Sequence, residues 1–118
     1  MEDLAVGQVR FENGAVMHVE SSFAAHLEDK FSFTFMGEKG GGSFDPATIY
    51  TDQMGHMMNM TPAFMPKVDT FEVKMRKWVD TCLNDAPNEA SGDVGLAIQK
   101  MIDAIYKSGE TGKEVAID

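Results

Sequence analysis

A single cysteine, Cys82, excludes an internal disulfide and suits a reducing, cytoplasmic setting. Cations are scarce as well: ten Lys and Arg stand against nineteen Asp and Glu, for a net charge of −9. No Lys/Arg cluster interrupts that balance, so phosphate backbones are repelled and nucleic-acid binding is excluded. An anionic membrane surface is disfavoured for the same reason. No apolar run approaches the roughly 20 residues of a membrane span. The opening Met1-Glu2-Asp3-Leu4 is acidic and enters a strand pattern at once, which leaves no room for a secretion signal. Also missing are Gly-x-Gly-x-x-Gly at a strand–helix junction and Gly-Lys-Ser/Thr after a glycine turn. The chain by itself therefore predicts no dinucleotide or phosphate-loop site.

What is present is ordinary for a globular chain. With 43% hydrophobic and 25% charged residues over 118 positions, one core and one domain spanning 1–118 are expected. Leu4 to Phe11 and Ala15 to Ala25 are rich in Val and Phe, with Glu12-Asn13-Gly14 between them. Asn-Gly readily takes positive φ, so a β-hairpin with a tight primed turn is predicted. In Lys30 to Met36 the alternation places Phe31, Phe33 and Phe35 on one heavily buried face, opposite Ser32, Thr34 and Met36. Gly37 to Gly42 reads as a flexible connection. Ser43-Phe44 and Ala47 to Thr51 read as short strands split by Asp45-Pro46. Asp52 to Pro66, with five methionines and two prolines, reads as a partly extended segment leading into a loop.

The second half is helical. Val68, Phe71, Met75, Trp78, Val79, Cys82 and Leu83 recur at helical spacing, and Pro87 blocks continuation. A second stripe, Val94, Ala97, Ile98, Met101, Ile102 and Ile105, follows Ser91 as N-cap. Gly109 and Gly112 offer stops, and Val115 with Ile117 suggests a last short strand. Strands followed by helices make an α+β class: an open, mostly antiparallel sheet with two helices packed on one face.

The candidate sites are few. Among His18, His26 and His56 none pairs with another His or Cys at metal-ligand spacing, so no metal site is expected. His18 and Glu20 share a strand face and could orient an imidazole for proton transfer, but a polar pair on an exposed sheet face is the simpler reading. The methionines could suit Cu(I), yet they equally fill adaptable interfaces, which is the reading preferred. Cys82 and Trp78 fall on the apolar stripe of the first helix and read as core residues. The glycine turn before Ser43 lacks a following helix, so a sheet connection outweighs a phosphate cradle.

Glu2 to Ala15, Phe33 to Gly41 with its Gly-x-Lys-Gly turn, and Ile102 to Val115 with Tyr-x-Ser and Thr-Gly-Lys-x-Val follow one another along the chain. Together they resemble the C-terminal half of the Gfo/Idh/MocA oxidoreductases, the family of glucose–fructose oxidoreductases and inositol dehydrogenases. Glu2-Asp3-Leu4-Ala5-Val6-Gly7 with Val9-Arg10-Phe11-Glu12-Asn13-Gly14-Ala15 looks like the first hairpin of that region. Phe33 to Gly41 looks like its strand ending in a Gly-x-Lys-Gly turn. Ile102 to Val115 looks like its closing helix, Tyr-x-Ser exit and Thr-Gly-Lys-x-Val segment.

The resemblance implies a substrate-side and subunit-assembly domain of an NAD(P)-dependent oxidoreductase acting on a sugar or polyol. It implies a parent with a Rossmann domain, NAD or NADP held by that parent, and pairing of subunits into a homo-oligomer through the exposed sheet face. The polar Ser32/Thr34 face and the mixed Val16/His18/Glu20 face also suit such a contact. The Glu-Lys-Pro motif carrying the family's catalytic lysine is absent, as is the helix carrying its catalytic Asp and His. No catalytic, cofactor or metal residue is therefore carried over, and the chain alone is expected to be inactive. His56 is the one substrate-side candidate. The alternative is a free-standing interaction or small-ligand-binding module without redox activity.

Overall fold

The computed structural model describes residues 3–118. Its elements run β1 (Leu4–Arg10), β2 (Val16–Ser22), β3 (Phe33–Gly37), β4 (Gly40–Phe44), β5 (Thr48–Gln53), β6 (His56–Met60), α1 (Thr70–Asn84) and α2 (Gly92–Thr111). This is the α+β order expected, with every strand pairing antiparallel. The described strands form two sheets, β1-β2 and β3-β4-β5-β6. The chain divides accordingly into two compact units, one of residues 3–26 with 71–118 and one of residues 27–70.

In the first unit β1 and β2 pair in full register, from Leu4 opposite Ser22 to Arg10 opposite Val16. The turn differs from the primed type expected. Gly14 donates its N–H to the Phe11 carbonyl at 2.9 Å and is the turn residue with positive φ, at 86°. That is a type I turn over Glu12-Asn13 closed by a glycine bulge, a common three-residue hairpin loop. The Asn13 side chain steadies it by accepting from the Ala15 N–H at 3.0 Å.

Period-two alternation puts Ala5, Gly7 and Val9 on one face of β1, and that face is the covered one. Val9, 7% exposed, is the one buried hydrophobic residue among those described. Against this face lies α2, whose half-buried Met101, Ala104, Ile105 and Ser108 recur at helical spacing. Gly7 permits the approach: a Cβ there would sit 3.3 Å from Ile105. The ends of α2 match the sequence reading. Ser91 is the N-cap, with its hydroxyl accepting from the Val94 N–H at 3.5 Å, and Gly112 closes the helix at φ 64°. Gly109 lies inside the helix. The expected last strand is absent. Residues 113–118 are irregular, and the Lys100 ammonium donates to the Asp118 carbonyl.

The second unit is a four-stranded meander. Its register places Phe33, Phe35, Phe44, Ile49, Met58 and Met60 on one face, and Thr34, Ser43, Thr48, Tyr50 and Asn59 on the other. Phe33 and Phe44, cross-strand partners, stack at 5.5 Å between centroids. The expected flexible connection at Gly37–Gly42 shrinks to Glu38-Lys39, and Gly40, Gly41 and Gly42 belong to β4. They are glycines because the strand is crowded. A Cβ on Gly41 would meet the Phe35 carbonyl at 2.6 Å, and one on Gly42 would meet the Phe35 ring at 2.6 Å. The opaque Met-rich stretch becomes β6, joined to β5 by Met54-Gly55 at φ 54° and 78°. Two successive positive φ values make this the primed two-residue hairpin.

Three apolar expectations need correction. The Phe31, Phe33 and Phe35 face is exposed rather than buried, Trp78 is 57% exposed, and Cys82 is exposed rather than core. The reason is architectural. The unit of residues 27–70 holds no helix, and within its own unit α1 packs against neither the hairpin nor α2. Exposed ion pairs lie along α1: Lys77 bridges Glu89 at 2.5 Å, and Arg76 bridges Glu72 four residues back, also at 2.5 Å. No helix among the described residues is long and apolar enough to cross a membrane.

Candidate functional site

His56 opens β6 and faces Gln53 across the Met54-Gly55 turn, so it is presented at a hairpin tip. The primed turn fixes this placement, because two left-handed residues return the chain without splaying the strands. Strand alternation puts His56 on the face of Ile49, Thr51, Gln53, Met58 and Met60. The imidazole is exposed there, able to hydrogen-bond a hydroxylated ligand reaching over the tip.

His56, Met58 and Met60 form a stripe that invites a soft-metal reading. Alternate residues along a strand lie about 6.6 Å apart, so His56 and Met60 are separated by about 13 Å. One ion cannot take all three, and the cross-strand partners Ile49, Thr51 and Gln53 offer no further soft donor. Met57 points to the opposite face, Met54 is 97% exposed in the turn, and the Met60 sulfur accepts from the Gln53 amide at 3.8 Å. Among the described residues no group of three His, Cys, Asp or Glu could hold a metal ion.

His18 and Glu20 do share a face of β2, opposite Gln8 and Val6. That face is open and exposed, and nothing encloses the imidazole as a general base requires. Ser32 precedes β3, while Thr34 lies within it on the polar face of the meander. On that face the Ser43 and Tyr50 hydroxyls share a hydrogen bond at 3.3 Å, and Ser43 also donates to the Pro46 carbonyl at 3.1 Å. Thr48, 9% exposed, donates to the same carbonyl at 3.4 Å. These bonds pin the loop through Asp45 and the cis peptide to Pro46.

The sequence reading missed one feature. An open groove of about 300 Å³ runs between α2 and the tail, lined by Lys100, Asp103, Ala104 and Lys107 from the helix and residues 115–118. Lys100, Asp103 and Lys107 at three- and four-residue spacing, followed by apolar Val115 and Ile117, was the available signal. Of the two ammonium groups, that of Lys100 is already engaged by the chain's own carbonyl at Asp118.

Neither helix N-terminus fits the pyrophosphate of a nicotinamide dinucleotide. Pyrophosphate binding wants a strand running through a glycine turn into a helix whose N-terminus is free of acid. Between Met60 and Thr70 the chain has no glycine, and α1 carries Glu72 in its first turn. The N-terminus of α2 follows an irregular loop, not a strand, and carries Asp93.

Two comparisons bear on this arrangement. Residues 1–117 match the model of the Gfo/Idh/MocA oxidoreductase family, C-terminal alpha/beta domain. A curated relative, D-glucoside 3-dehydrogenase of Escherichia coli (strain K12), is 29% identical over 119 residues. The alignment covers 99% of this chain and 34% of that protein, so the chain spans about a third of the relative's length.

Proposed function

The chain belongs to the Gfo/Idh/MocA oxidoreductase family through its C-terminal alpha/beta domain, and from that premise we propose that it supplies the substrate side and the subunit contacts of an NAD(P)-dependent sugar oxidoreductase. The observation that carries the reading is the family match over residues 1–117. The similarity to a D-glucoside 3-dehydrogenase supports a sugar as the substrate class.

The division of labour follows from the residues. The nucleotide belongs to a dinucleotide-binding domain, because neither helix N-terminus here follows a glycine turn and both begin with an acid in the first turn. Hydride chemistry then takes place on groups outside these 118 residues, and the chain alone does not turn over substrate. Its own contribution is recognition: His56 at the β5–β6 tip would donate to or accept from a sugar hydroxyl. Held by another domain of the parent, a nicotinamide would supply the hydride acceptor for sugar oxidation, and no described residue of this chain would hold it.

Titration of the isolated chain with NAD(H) and NADP(H) is expected to give no binding signal; tight binding would overturn this assignment. The assembly role is drawn from the family resemblance, and the exposed Ser32/Thr34 and Val16/His18/Glu20 sheet faces are open to such a contact. Light scattering across a concentration series should show a dimer or larger species, whereas a clean monomer would remove the assembly part of the proposal.

A further inference from the structure

We draw no further inference here: the strongest candidate, the apolar face of the four-stranded β3–β6 sheet formed by Phe33, Phe35, Phe44, Ile49, Met58 and Met60, is exposed, and nothing in the structure shows what covers it.

Discussion

At the residue scale the glycines do the most to shape the meander, and they do so for different reasons. Gly40 has φ 149°, and a Cβ there would lie 2.6 Å from the Tyr50 carbonyl oxygen, a backbone atom that cannot swing aside. Gly55 has φ 78° with nothing within 4 Å of the Cβ position, so only its backbone conformation would resist a side chain. Gly40→Ala should therefore cost about 1–3 kcal/mol of strain in addition to the clash. Gly55→Ala should cost about 1 kcal/mol. Urea denaturation of the two variants checks the order, and equal losses would contradict the crowding described for β4. The same contrast explains what the sequence hid. Gly-Gly-Gly reads as a flexible linker when only composition is considered, yet close backbone approach demands it here. Met54-Gly55 is a primed turn without the usual Asn or Asp in its first position, so the pattern carries no turn signal until the strands on either side are known.

The two helices show, at the scale of elements, how far local patterning reaches. The start of α2 was readable because Ser91 and Asp93 are both favoured at a helix N-terminus, and its end because Gly112 can adopt the left-handed cap. Ser91→Ala should lower stability by about 1 kcal/mol, and Ser91→Gly by only a few tenths. Chemical denaturation monitored by helical circular dichroism measures the difference; an unchanged midpoint for Ser91→Ala would mean the cap contributes nothing. The stripe on α1 was equally readable, but a stripe says only that a face is apolar. It does not say what covers it, and Trp78, Met75 and Leu83 remain substantially exposed. The β1–β2 hairpin was legible from Glu12-Asn13-Gly14, though the turn type was not, because only Gly14 takes positive φ. Val115 and Ile117 alternate as a strand would, yet the tail forms no strand among the described residues and lies along α2 instead.

For the whole molecule, most of what points to a role comes from ordered resemblance over nearly the full chain, not from a constellation of reactive groups. The hairpin, the Gly-x-Lys-Gly turn and the closing helix were in the sequence in the right order, and the family match spans the same residues. The proposed substrate-side position, His56, was far less legible. A lone histidine has no spacing to test, and its position at a hairpin tip depends on a strand pairing that the methionines obscured. The central claim is that this domain meets the sugar while another holds the nucleotide. It is tested most directly by replacing the matching third of the E. coli D-glucoside 3-dehydrogenase with residues 1–117. The KM for D-glucoside and the nicotinamide affinity of the hybrid are then compared with those of its His56→Ala variant. Loss of one hydrogen bond worth about 1 kcal/mol should raise the sugar KM by roughly fivefold and leave nicotinamide affinity unchanged. An unchanged sugar KM together with weakened nicotinamide binding would contradict the account.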